Sequence, residues 1–154
     1  ETDFDERWLR EALALDEILS NSFEDDELGG YFTTGREHEQ LIARLKSPQD
    51  GALPSGNGVQ ALNLLRLALL TGEARYEDAA VSHLRLVHQL CGQHPQAFAH
   101  ALQALDLHVG PARELALAGP ADGVAELARV VRSGPSRSSR SRCRSMRRRR
   151  STVG

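Results

Sequence analysis

Cysteine and aromatic side chains are scarce in this chain. Cys91 and Cys143 are the two cysteines; they cannot build a disulfide framework or a four-cysteine zinc site, and no Cys-x-x-Cys occurs. A reducing, cytoplasmic compartment is the expectation that goes with such thiol usage. Phe, Trp and Tyr together reach only 5 % of the 154 residues, so a core has to come from aliphatic side chains. Ala and Leu dominate, which favours packed helices. Long apolar runs are missing too: the longest, Val59 to Leu70, is broken by Gln60, Asn63 and Arg66, so no membrane span or membrane partner is expected. The opening Glu-Thr-Asp-Phe-Asp-Glu is acidic, has no initiator methionine and no recognisable leader, and reads as the interior of a longer chain. Phosphate-binding glycine loops, the Gly-x-Ser-x-Gly elbow and zinc-ligand spacings are also absent, so neither cofactor nor metal is expected.

Charge is distributed unevenly along the chain. Residues 133–154 hold eight arginines, seven serines and no acid, a charge of +8, while residues 1–132 set eleven Lys/Arg against twenty-one Asp/Glu, a charge of −10. These are two physical objects: a body over 1–132 and an Arg/Ser-rich tail over 133–154. The tail composition cannot build a core and predicts disorder; such runs also arise when GC-rich coding sequence is read out of frame. Its arginines would attract nucleic-acid phosphates, without sequence preference.

Within the body, periodicity predicts five helices. Trp8, Leu9, Ala12, Leu15, Ile18 and Leu19 recur at helical spacing over Asp5 to about Ser22, with Asp3 and Glu6 set as a capping box. Tyr31-Phe32-Thr33-Thr34 and Leu41 to Lys46 read as a short β-hairpin or extended pair. Two prolines and three glycines between Ser47 and Gly58 exclude regular structure there. Val59 to Thr71 is apolar on nearly every face and predicts a helix buried all round, stopped by Gly72, with Asn63 and Arg66 tied to the preceding loop. Tyr76–Cys91, Gln96–Val109 and Asp122–Val131 complete the set, with one short strand over Arg113 to Ala118.

The loop from Arg44 to Asn57 concentrates polar chemistry. Two cations (Arg44, Lys46), a carboxylate (Asp50) and hydroxyl and amide groups (Ser55, Asn57) can hydrogen-bond a polyol from several directions. The same residues have a plainer use, with Asp50 and Ser55 capping a turn and Asn57 capping the next helix. The histidines of the later helices, His83, His88, His100 and His108, form no His-Glu-x-x-His or i, i+4 pair and read as solvated or internally satisfied.

The run Gly29-Gly30-Tyr31-Phe32-Thr33-Thr34, then Arg44-Leu45-Lys46, then Asp50-Gly51-Ala52-Leu53-Pro54-Ser55-Gly56-Asn57 resembles a particular family. Asn63-Leu64-Leu65-Arg66-Leu67-Ala68 and Thr71-Gly72 extend the likeness, which covers roughly residues 4–132. The family is that of thioredoxin-domain-containing proteins related to the spermatogenesis-associated thioredoxin-like protein. It combines a thioredoxin-like domain with an α/α toroid similar to N-acylglucosamine 2-epimerases and six-hairpin glycosidases. The resemblance implies a mostly α fold, a partial toroid of antiparallel helical hairpins at the C-terminal end of that ring, since five helices cannot close six hairpins. It also implies a loop facing a cleft for a sugar-like small molecule, with Arg44, Lys46, Ser55, Asn57 and Tyr31 as binding groups. Glycoside hydrolysis needs paired carboxylates, for which Asp50 is the catalytic candidate and Glu24 to Glu27 the source of a partner. The fragment by itself is expected to show no turnover and, with apolar flanks uncovered, to self-associate. The alternative is a helical protein-interaction module: Thr71 to Ala80 looks like the turn of a tetratricopeptide hairpin, although no repeat at about 34 residues follows it.

Overall fold

A computed structural model describes residues 5–37, 43–111, 113–133 and 141–145. The chain is mostly helical and divides into two compact units, Asp5–Gly110 and one built from residues beyond it.

The first unit carries α1 (Glu6–Phe23), α2 (Gly56–Thr71), α3 (Ala74–Gln93) and α4 (Ala99–Val109), with a single 3₁₀ turn, Pro95–Ala97, before the last. Asp5 starts α1 by accepting the Arg7 N–H, so the cap lies two residues later than the expected Asp3 box. Ser55 caps α2 through the Gly58 N–H, and Gly72 ends it at φ +79°, a left-handed position that glycine occupies without penalty. Pro95 sets a 3₁₀ turn instead of opening α4, because Phe98 interrupts the helix with φ −137° and turns its ring into the core at 1 % exposure.

Ala61, Leu64, Leu65 and Leu67 of α2 form the centre of the core with Tyr76 and Ala80 of α3 and Ala104 of α4. Leu9, Ala12 and Leu13 of α1 pack against its edge. Small side chains bring the helices close: a Cβ on Gly58 would lie 3.0 Å from the Cβ of His100 on α4. A second cluster joins Val87 of α3 to Phe98 and Ala101. The expectation that α2 is buried all round needs correction. Asn63, Arg66 and Leu70 lie on an exposed strip, and the buried polar side chains of this helix are instead Asn57 and Gln60, the latter donating to Asp16 of α1 at 2.7 Å. On α1, Trp8, Leu15 and Ile18 face outward at 53 %, 60 % and 58 % exposure.

The expected hairpin is reduced to fragments. Tyr31 makes one antiparallel bridge, to Glu24 and not to the 41–46 run, and Thr33 donates to the Leu45 carbonyl. Residues 38–42, which include the start of the second run, lie outside the described residues.

In the second unit, β1 (Arg113–Leu117) and β2 (Ser141–Ser145) pair in parallel, in register from Arg113 with Ser141 to Leu117 with Ser145. Parallel neighbours need a crossover of a dozen or more residues, and α5 (Ala121–Ser133) lies in that connection. Leu117 and Ala128 are buried in this unit. Of the tail expected to be disordered, Ser141–Ser145 is thus a strand, and the positions around it lie outside the described residues. No helix among the described residues is long and apolar enough to cross a membrane.

Candidate functional site

The six residues singled out in the sequence do converge on one region, between the end of α1 and the starts of α2 and α4. Each is engaged with the protein itself. Asn57, in the first turn of α2, is buried and holds Tyr31 at both backbone groups: its Oδ1 accepts the Tyr31 N–H at 2.7 Å and its Nδ2 donates to the Tyr31 carbonyl at 3.0 Å. That bidentate pairing mimics a strand neighbour and explains why Tyr31 needs no β partner beyond its single bridge. The Tyr31 hydroxyl lies 3.5 Å from the Ser20 hydroxyl, and burial pushes its pKa up.

Asp50 divides its carboxylate between two segments. Oδ1 accepts the Ser55 N–H at 2.7 Å and Oδ2 the His100 N–H at 3.0 Å. Burial works to raise its pKa, but the two N–H donors together with the His100 ring outweigh it and hold the carboxyl below the ordinary range. The Nδ1 of His100 lies 3.4 Å from the same oxygen, a proximity that no spacing in the sequence announced. Ser55 is buried, donating to the Ser47 carbonyl while accepting from Gly58.

The cations are equally committed. Arg44 donates to the Thr34 and Ser22 carbonyls and lies over the Phe32 ring at 4.1 Å. Lys46 pairs with Asp25 at 2.6 Å, with both side chains largely buried, and also donates to the Gly29 carbonyl. The hydrogen bond from Lys46, helped by backbone donors, lowers the Asp25 pKa to about 2. Of the acidic turn, Asp25 is therefore taken by Lys46 and Asp26 by Arg36. Glycine makes the seating possible. Gly29 and Gly30 have φ of +73° and +77°, and a Cβ on Gly29 would strike the Ser82 hydroxyl of α3.

Two further buried groups belong to this site: Asp16, which the sequence did not single out, and His83, which was expected to be solvated or internally satisfied but is buried with neither ring nitrogen bonded among the described residues. Asp16 sits buried on α1, its pKa raised by burial against the opposing pull of the Gln60 bond and the Arg75 charge. His83 is 4 % exposed, with its ring edge-on to Tyr31 at 4.8 Å between centroids. Their only sequence signal is a polar residue on the inward stripe of a helix. Among the described residues, no group of three His, Cys, Asp or Glu side chains is placed to hold a metal ion.

These features define a helical module whose polar loop is bonded inward. No family model matches the chain. Over 113 residues, 73 % of its length, it is 37 % identical to spermatogenesis-associated protein 20 of Rattus norvegicus, 35 % to that of Homo sapiens and 34 % to that of Mus musculus. The chain is homologous to a stretch of these proteins and spans 14 % of the length of each.

Proposed function

We propose that this stretch is a structural module of a toroid-type protein, braced by its own polar loop and without turnover by itself. The observation that carries this reading is the state of Asp50. Both of its oxygens accept backbone N–H groups, and its carboxyl is held below the ordinary range. A glycosidase acid has to keep a proton near neutral pH, which requires a raised pKa, and the ionised partner needs an oxygen turned to substrate or water, whereas both oxygens of Asp50 are spent on the backbone. Asp50 is suited to capping and positioning; Arg44, Ser55 and Asn57 likewise spend their hydrogen bonds on the backbone, and Lys46 on Asp25 and the Gly29 carbonyl. A cleft for a sugar-like or other polar small molecule belongs to the longer proteins in this proposal, supported by the toroid resemblance alone. The cytoplasmic location likewise rests on cysteine usage alone. Chromogenic glycosides and N-acyl sugars incubated with the 154-residue chain are expected to show no turnover. In a full-length relative carrying the equivalent change, Asp50→Asn is expected to retain whatever activity is found. Loss of activity with unchanged stability would overturn the structural role.

A further inference from the structure

His83 lies on the face of α3 that receives the Gly29–Tyr31 turn. Gly29 abuts Ser82, the residue before it, and Gly30 lies against Leu86 of α3 and Asn57 of α2. Neither ring nitrogen of His83 has a hydrogen-bond partner among the described residues. Tyr31 is the titratable group against the ring, and Lys46 is the charged group that acts on it, with Asp25 paired to Lys46. Glu24 and Asp16 act in turn on Tyr31, and the α2 neighbour of the turn, Asn57, is uncharged. An imidazolium at this position would carry two buried N–H donors without acceptors, close to an ammonium group. Such a charge is costly to bury, so it forms only if the turn moves away.

We propose that His83 is an acid-sensitive latch whose protonation frees the Gly29–Tyr31 turn from α3 while the packing of α2 on α3 and α4 persists. Burial first, and then the Lys46 charge, lower the imidazole pKa from 6.5 to about 4. The stability contributed by the neutral ring is complete above pH 6.5, declines as pH falls through that value, and is gone below about pH 4. The neighbouring clamps keep their charges across this window: Asp25 is held down to about 2, and Asp50 stays below its ordinary 3.8. Acid therefore acts on the latch before it reaches the ion pair or the α4 cap.

Hydrogen exchange on the full chain at about pH 7.5 and about pH 4.5, corrected for intrinsic rates, tests this directly. The reporter is the Tyr31 amide, bonded to Asn57; the amides of Leu64 and Leu65 in α2 are the reference. The expected result is opening at Tyr31 on the order of fiftyfold more frequent at the lower pH, with Leu64 and Leu65 staying better protected than Tyr31 at both pH values, because they open only in global unfolding, which exposes His83 as well. His83→Leu removes the difference. Titration of the His83 ring by NMR in the unaltered chain gives an independent reading, expected well below 6.5 and in step with the loss at Tyr31. Unchanged protection at Tyr31, protection in α2 no greater than at Tyr31 at the lower pH, or the same acid response in His83→Leu would each overturn the latch. Should that variant fail to fold, an ordinary imidazole titration with Tyr31 still protected does so.

Discussion

The carboxylate of Asp50 accepts the backbone N–H of His100, fifty residues further along the chain. Phe98, at the N-cap position of α4, offers no side-chain bond of its own, so the loop supplies the missing acceptor and places its negative charge at the positive end of the helix. Asp50→Ala is expected to cost about 1–2 kcal/mol, as the loss of a cap does. The contribution is present above pH 3.8 and is lost as pH falls through the lowered native value, so the variant and parent should converge in strong acid. Urea unfolding at several pH values checks both points.

Asn57→Ala leaves the N–H and carbonyl of Tyr31 without partners in a buried position. Stability should fall by on the order of 2–4 kcal/mol, since each orphaned group carries a desolvation penalty. Asn57→Asp should be as harmful above the carboxylate pKa, because it sets an oxygen against the Tyr31 carbonyl. Thermal melts of the two variants give the comparison.

Gly29 and Ser82 should be coupled. Gly29→Ala introduces both a left-handed alanine, costing about 1–2 kcal/mol, and a collision with the Ser82 hydroxyl. Ser82→Ala in the same chain should recover the steric part and leave the backbone part. A double-mutant cycle with additive effects would show that the turn does not seat on α3.

Self-association is expected to have a salt-sensitive and a salt-insensitive component. Opposite charges on residues 1–132 and 133–154 supply the first, screened over about 10 Å at roughly 0.1 M salt. Trp8, Leu15 and Ile18, exposed on α1, supply the second. Ending the chain at residue 132 should remove only the salt-sensitive part, whereas Leu15→Ser with Ile18→Ser should reduce the remainder. Sedimentation velocity at two salt concentrations separates them, and a monodisperse monomer throughout would mean that neither surface associates.

Local signals in the sequence were sufficient for the helices. Apolar spacing marked four of them and an apolar run with its Ser55 cap and Gly72 stop marked α2, although Trp8, Leu15 and Ile18 of the α1 stripe face outward; the Arg113 strand was found to within a residue. Those features depend on neighbours a few positions away, which a linear reading contains. The polar cluster was also visible as a concentration of donors and acceptors between Arg44 and Asn57. Its partners were not, because they come from elsewhere in the chain: Asn57 meets Tyr31, Asp50 meets His100, and Lys46 meets Asp25. The outward strip of α2 was misread for a related reason: its polar members Asn63 and Arg66 were visible but were expected to tie back to the loop, and only the placement of α1, α3 and α4 leaves that face to solvent. His83 shows the same division. Its place on α3 follows from periodicity, but its burial against Tyr31 was decided by tertiary packing, which seats two left-handed glycines against α3 and closes the ring off from water.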